Sequence, residues 1–118
     1  MKLSDVATRL DAKVLANAQS VPHIEVHQVY AGDNMSDMLN QVNGATLLVT
    51  NLCNTLMARF AELMDVPAIC LVNGVAPRAE LVSAAAEHGT VLLVSPVSLF
   101  ETCGRLYQCL NHKTQKAP

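Results

Sequence analysis

Three short apolar runs constrain the fold of this chain more than any other feature of its sequence. They are "ATLLVT" at residues 45–50, "AICLV" at 68–72 and "VLLV" at 91–94. Such runs are typical of strands that are buried on both faces, as in parallel sheets covered by helices. Apolar residues at helical spacing follow each run, and the alternation predicts an α/β domain with a mainly parallel central sheet.

The length of 118 residues suits one domain with one core. We expect a single three-layer α/β domain over residues 1–110, with four or five strands between helices, followed by a polar C-terminal tail over 111–118. The side chains predicted to lie in the core are Leu48, Val49, Ile69, Leu71, Leu92 and Leu93.

Local patterns predict the remaining elements. A short helix is expected over residues 4–10 with Ser4 as its N-cap, and the alternation in 23–32 predicts a half-covered strand. Asn43-Gly44 is expected to end a helix that starts near Met35 with a left-handed cap. Asn73-Gly74 is the strongest short signal for a hairpin turn, but Pro77 suits the first turn of a helix, so the pair is expected to join a strand to a helix.

The surface of this chain is short of charge. Hydrophobic residues make up 51% of the sequence and charged residues 15%, against about a quarter charged in a typical soluble domain. An apolar face covered by a second copy accounts for this composition, and we expect a homodimer whose seam includes the strand-end loops or the last helix. The net charge of −2 and the lack of a Lys/Arg run argue against nucleic acid as a partner.

The sequence carries no signal for membrane insertion or secretion. Charged residues interrupt the first 13 positions, and no apolar run reaches the roughly 18 residues of a membrane span. The four cysteines form no C-x-x-C pair, which favours free thiols in a reducing compartment. We therefore expect a cytoplasmic protein that does not bind membranes.

Small and polar residues follow each predicted strand, at the edge where parallel sheets bind ligands. Their amide and hydroxyl groups suit a base edge or a ribose, and the backbone N–H groups of such loops suit a phosphate. The same residues also occur in strand-to-helix loops for turn and capping reasons alone. The candidate ligand-binding residues are Asp33, Asn34, Thr50, Asn51, Asn54, Asn73, Gly74 and Ser95.

No catalytic or metal site stands out. His23, Glu25 and His27 have a spacing that aims three ligands from one strand face, but no fourth ligand is identifiable, and a solvated strand gives the same pattern. Cys53 precedes a helix, where a thiol becomes reactive; a small buried apolar residue is the alternative. Phosphate-loop, dinucleotide and nucleophile-elbow motifs are all absent from the sequence, so we expect no enzyme, no catalytic residue, no metal and no cofactor.

The order of the segments resembles that of DRTGG domains. "VPAICLVNGVAPRAELVSAAAEHGTVLLVSPVSLFETCGRL", residues 66–106, is similar to their second half, in which a buried strand ends in a Thr-Gly-Gly-like loop and a later strand ends in Thr/Ser-Pro. "LSDVATRLDAKVLA" and "VYAGDNMSDML" resemble the entry helix and the first strand-to-helix turn of stand-alone members. This chain differs from the family at its signature residues. Residues 50–54 read Thr-Asn-Leu-Cys-Asn where the family has Asp-Arg, and residues 72–75 read Val-Asn-Gly-Val where it has Thr-Gly-Gly.

This resemblance implies the fold of the N-terminal domain of HPr kinase/phosphorylase, without the separate kinase domain. It also implies a regulatory, dimeric module, because related domains lie beside phosphotransacetylase modules and between CBS domains of pyrophosphatases under adenine-nucleotide control. The first functional hypothesis is a non-catalytic sensor that binds an adenine-nucleotide-type molecule at the strand-end rim. The alternative is an interaction or scaffold protein with a protein partner and no ligand, accessory to a hydrogenase or to a redox or signalling system, as implied by relatives encoded near iron-only hydrogenases.

Overall fold

A five-stranded, mostly parallel sheet forms the centre of the fold. The computed structural model describes the backbone of residues 1–114 and the side chains of residues 1–110. The strands are β1 (Lys13–Ala16), β2 (Gln28–Ala31), β3 (Thr46–Thr50), β4 (Ala68–Leu71) and β5 (Val91–Val94). Their order is β1-β5-β4-β3-β2, with β2 to β5 parallel and β1 antiparallel to β5. The predicted α/β fold class is confirmed.

Five α-helices cover the two faces of this sheet. They are α1 (Leu3–Leu10), α2 (Met35–Gln41), α3 (Thr55–Leu63), α4 (Ala79–His88) and α5 (Leu99–Thr114). Side chains of α2, α3 and α4 share one apolar cluster with Ile69 and Leu92, whereas those of α1 and α5 share the other with Cys70 and Leu93. Alternate residues of each inner strand thus point into two different cores. This explains why the strands read as unbroken apolar runs, and all six predicted core residues are fully buried.

The edge strand β1 was missed by the sequence analysis. Its four residues begin with a charged side chain, and the exposed Lys13 and Leu15 alternate with the more covered Val14 and Ala16. The strand bulges at Leu15: Lys13 and Val14 oppose Val94 and Leu93, but Ala16 opposes Leu92. Four residues with a bulge are too short a segment for their pattern to identify a strand.

The predicted strand over 23–32 is only partly formed. Residues Ala18–His23 form a 3-10 helix, and only Gln28–Ala31 pairs with β3. Before it, the backbone N–H of Val26 bonds to the carbonyl of Met1. The amino-terminal segment therefore takes hydrogen bonds that a longer strand would have used.

Three predicted helix ends were wrong. Helix α1 starts at Leu3 with Lys2 as N-cap, not Ser4, although its inward-facing residues are as expected. Helix α2 ends in an extended Val42, so no left-handed cap forms at Asn43-Gly44. Pro77 precedes α4, whose N-cap is Arg78.

The last helix extends beyond the domain boundary placed from the sequence. Helix α5 runs to Thr114, so its backbone includes residues 111–114 of the predicted polar tail. The rest of that tail, residues 115–118, lies outside the described residues.

Candidate functional site

Polar residues from three adjacent strands meet at the C-terminal edge of the sheet. Asp33 follows β2, Asn51 follows β3 and Asn73 follows β4. These strands are parallel neighbours, so their C-terminal ends lie side by side. All three side chains are exposed.

The carboxylate of Asp33 is the most heavily bonded group at this edge. Its Oδ1 accepts from Oγ1 of Thr50 and from the backbone N–H of Asn51, both at 2.9 Å. Its Oδ2 accepts from Nδ2 of Asn51 at 3.3 Å. Partial burial raises the pKa of Asp33, but these hydrogen bonds to the charged form outweigh that effect and hold the pKa below its ordinary value. Asp33 is therefore an ionised, fixed acceptor.

Asn51 joins Asp33 to Asn73. The Oδ1 of Asn51 accepts from Nδ2 of Asn73 at 3.2 Å, while its amide nitrogen donates to Asp33. We call this arrangement of Asp33, Asn51 and Asn73 the polar chain. In it, Oδ1 of Asn73 and the second N–H of each amide keep hydrogen-bonding capacity toward solvent. The polar chain can thus both accept from and donate to a ligand.

The Asn73-Gly74 pair forms a turn that is anchored to the next loop. Both residues have positive φ, 62° and 60°, and the N–H of Val75 bonds to the carbonyl of Val72 at 3.4 Å. The N–H of Asn73 donates to Val97, and that of Gly74 donates to Ser95, each at 2.8 Å. A side chain at Gly74 would meet only ordinary contacts with Pro96 at 3.8 Å, so φ is what favours glycine there. These two N–H groups are consumed within the protein and do not point toward a ligand.

The other five predicted residues have different surroundings. Asn34 caps α2, with Oδ1 accepting from the N–H groups of Ser36 and Asp37 at 3.0 and 3.3 Å. Thr50 is buried beneath Asp33, and Ser95 is buried with Oγ 2.8 Å from Oγ1 of Thr102. Asn54 precedes α3 and makes no side-chain cap bond. Gly74 contributes backbone to the anchored turn described above. The structure therefore brings Asp33, Asn51 and Asn73 into one cluster and gives Asn34, Thr50 and Ser95 bonds within the protein.

A small pocket at the starts of α3 and α4 contains a cation that the sequence analysis missed. This Arg78 pocket has a volume of about 220 Å³ and is lined by Cys53, Asn54, Thr55, Arg78, Glu80 and Leu81. Arg78 is exposed, and its guanidinium makes no ion pair or hydrogen bond with any residue in the described part of the chain. The helices α3 and α4 both begin here, and helix starts favour negative charge. The sequence signal that could have identified Arg78 is its position directly before a helix, five residues after Asn73 at a strand end.

The structure also shows where the candidate metal ligands and the candidate reactive cysteine lie. His23 belongs to the 3-10 helix, so it does not share a strand face with Glu25 and His27. No group of three metal-ligating side chains is assembled among the described residues. Cys53 is exposed rather than buried, and all four cysteines are free.

No helix within the described part of the chain has the length and apolarity needed to cross a membrane.

Comparison with known proteins finds a solved structure with a similar fold. No protein-family model and no curated sequence matches the chain. Among solved structures, the chain is similar to the CBS and DRTGG domains of the regulatory region of Clostridium perfringens pyrophosphatase, which was crystallised with its activator, diadenosine tetraphosphate. The TM-score is 0.72 at 13% identity, over 91% of this chain and 46% of that one. The chain thus has a DRTGG-like fold and spans about half the length of this relative.

Proposed function

We propose that this chain is a non-catalytic regulatory module that binds an anionic, nucleotide-type small molecule at the C-terminal edge of its sheet. One observation carries the proposal: Asn51 and Asn73 of the polar chain lie in the same two loops that line the Arg78 pocket. Asn51 and Asn54 lie in the β3–α3 loop, and Asn73 and Arg78 lie in the β4–α4 loop. The loops that carry these two amides therefore also carry a guanidinium without a bond to another described residue.

Each group has a role in this proposal. The carboxylate of Asp33 holds the amide of Asn51 in place, and the amides of Asn51 and Asn73 bind hydroxyl groups or another polar edge of the ligand. The guanidinium of Arg78 binds a phosphate, for which its planar fork of N–H donors is suited. This chain lacks the Asp-Arg pair of the DRTGG signature. In this proposal, Asp33 and Arg78 are the charged residues of the site instead.

The fold relative supports the choice of ligand class. That protein's regulatory region was crystallised with a dinucleoside tetraphosphate activator. A nucleotide is also the ligand class that combines the hydroxyl, polar-edge and phosphate groups for which this edge has partners. Adenine nucleotides are therefore the first probes.

A thermal-shift series tests the proposal. The purified chain is melted with AMP, ADP, ATP, diadenosine tetraphosphate and inorganic tripolyphosphate. A ligand at 100 times its Kd stabilises the fold by about 2.7 kcal/mol, and we expect the phosphate-rich members to do so. Arg78→Ala should remove this stabilisation, and the matched control Arg59→Ala, on α3 and outside the Arg78 pocket, should keep it. If no probe shifts the melting temperature, the nucleotide proposal is wrong.

We also propose that the module works as a homodimer, so that ligand binding alters the association of two copies. Phe100 and Tyr107 on α5 support this because they are 90% and 57% exposed, respectively. The same exposed aromatics favour the second candidate function, an interaction protein that binds a protein partner and no ligand. Four free cysteines support a reducing compartment, the cytoplasm, for either function.

A further inference from the structure

A second, more apolar groove opens on the same edge of the sheet, on the side of β1. Its volume is about 620 Å³, within the range of small-molecule pockets. We call it the β1 groove. Its lining is mainly apolar, with Leu15, Val75, Pro77 and Val82 among its members, and it also includes Gly74, Asp11 and Lys13.

The strand order explains why a groove forms here. Adjacent strands β4 and β5 lead to helices on opposite faces, because α4 packs with one apolar cluster and α5 with the other. The chain therefore leaves these two strands toward opposite faces of the sheet, which is the arrangement that creates a ligand crevice in open α/β sheets. The two loops are joined at Gly74, whose N–H donates to Ser95, and Gly74 to Pro77 of one loop and Pro96 of the other line the groove.

The bulge in β1 shapes the floor of the groove. Val14 packs in the cluster of α1 and α5, whereas Ala16, two residues later, packs in the opposite cluster. In a regular strand these two side chains would share a face. The extra residue, Leu15, lines the groove and is 36% exposed. A bulge thus directs an aliphatic side chain into the opening.

Resting on the proposed function, we infer that the β1 groove binds the purine base of the ligand, while the Arg78 pocket binds its phosphates. Pro77 lines the groove and the next residue, Arg78, lines the pocket, so the two sites adjoin. A planar apolar ring matches walls of Leu15, Val75 and Val82. Arg78 lines the pocket together with Glu80, and Lys13 lines the groove together with Asp11, so the Arg78 guanidinium is the group that binds the anionic end of the ligand in this proposal.

An extended peptide fits this opening less well. Peptides that add to a sheet need a free edge of some length. The edge here has four residues, a bulge and an exposed Lys13, features that protect sheet edges from further pairing. The groove therefore favours a compact ring over a strand.

Methyl NMR on the wild-type chain tests the placement of the base directly. Adenosine, which lacks phosphates, should shift the methyl signals of Leu15, Val75 and Val82, whereas Leu56 and Leu63 on α3 serve as exposed references. Tripolyphosphate should leave the three groove methyls unshifted. Adenosine shifts confined to other residues would overturn the inference.

A variant gives the second test. Leu15→Glu should weaken adenosine and ATP binding by about tenfold or more, as expected for loss of an apolar contact in a pocket, and leave tripolyphosphate affinity unchanged. Leu56→Glu is the matched control because it adds the same charge on an exposed position of α3. ATP binding that survives Leu15→Glu but not Arg78→Ala would overturn the base site alone. Failure of every nucleotide to bind either wild type or control would overturn the proposed function with it.

Discussion

The side-chain amide of Asn73 donates a hydrogen bond to Oδ1 of Asn51 at 3.2 Å, across two neighbouring strand ends. Because Asn51 donates to Asp33 on the third strand, the orientation of each amide is determined by an ionised carboxylate. A surface of exposed asparagines would otherwise sample many rotamers. The polar chain is thus preorganised, which lowers the entropic cost of binding a ligand.

Asn73→Gly should keep the fold and weaken ligand binding. Asn73 has a φ of 62°, which glycine adopts without strain, so the variant removes only the side-chain amide. We expect a stability change within about 1 kcal/mol and a loss of ligand affinity of about fivefold, the value of one ordinary hydrogen bond. Denaturant titration and calorimetric binding to ATP measure the two effects.

Two companion variants separate the contributions at this position. Asn73→Ala would add backbone strain of roughly 1–2 kcal/mol to the loss of the amide, so it should be the less stable variant. Asn73→Asp keeps the shape but places a carboxylate oxygen against Oδ1 of Asn51 and should bind the ligand no better than Asn73→Gly. If Asn73→Gly bound the ligand with wild-type affinity, Asn73 would have a role in the turn and none in ligand binding.

Asp33 should contribute stability that is lost in acid. Its pKa is lowered from an ordinary 3.8 by the bonds from Asn51 and Thr50, which outweigh the effect of burial. A lowered folded-state pKa gives stability that is fully present above the unfolded-state value and disappears as the pH falls through the folded-state value. Asp33→Asn should therefore be less stable than wild type at pH 7, and the gap should narrow below about pH 4.

The control for this pH effect is Asp65→Asn. Asp65 is exposed and has a φ of 59°, a conformation that Asn also tolerates. Urea denaturation from pH 2 to 7 compares the three proteins. A constant difference between wild type and Asp33→Asn across this range would show that the carboxylate charge is not responsible.

The four thiols should label in an order set by their surroundings. Burial, with a smaller contribution from Cys103, raises the pKa of Cys70 to about 12, and Cys70 is fully buried, so it should react only after global unfolding. Cys53 is exposed and should react first with iodoacetamide at pH 8, as read by peptide mass spectrometry. Because Cys53 lines the Arg78 pocket, ATP should slow its labelling and leave that of Cys109 unchanged. Equal rates for Cys53 with and without ATP would contradict phosphate binding in that pocket.

The parallel core was predictable because its signal is local. Every residue in runs such as 68–72 and 91–94 is apolar because helices cover both faces of the sheet there. The edge strand β1 was not predictable in this way, since its bulge places Val14 and Ala16 in opposite cores. Helix ends were also missed, because Lys2 and Glu25, far apart in sequence, set the start of α1 through backbone pairing.

The candidate site was predictable only as a set of strand ends. Because Asp33, Asn51 and Asn73 each follow a predicted strand, the sequence indicated that they lie at the C-terminal edge of the sheet, as the structure shows. It could not distinguish them from Ser95, whose hydroxyl turns inward to Thr102, because that depends on the path of α5. The position of Arg78 before a helix was visible in the sequence, but the Arg78 pocket and the β1 groove depend on strand order and on which face each helix covers, which local spacing does not encode.

Core truncation should be far more costly than truncation at the surface. Leu48 lies at 0% exposure in the centre of β3 and packs beneath α2 and α3. Leu48→Ala should lower the free energy of unfolding by about 2–5 kcal/mol through lost burial and a residual cavity. Leu63→Ala, at 76% exposure on α3, is the matched substitution and should change it by no more than about 0.5 kcal/mol. Similar midpoints for the two variants in urea would argue against the assigned core.

The outer face of α5 should form the seam of the proposed homodimer. Phe100 and Tyr107 are seven residues apart and lie on one face of the helix, and the space beside Gly104 between them is open. This arrangement is self-complementary, because two antiparallel copies of α5 would set each Phe100 against the partner's Tyr107 around a close contact at Gly104.

Phe100→Glu should therefore convert a dimer into a monomer without unfolding the chain, since Phe100 is 90% exposed and lies outside both core clusters. Sedimentation velocity at tens of micromolar, with circular dichroism to verify the fold, measures this. Leu63→Glu, an equally charged change at 76% exposure on the opposite face of the sheet, should remain dimeric. A wild-type monomer would refute the homodimer, and a dimer that persists in Phe100→Glu but dissociates in Leu63→Glu would move the seam to α3.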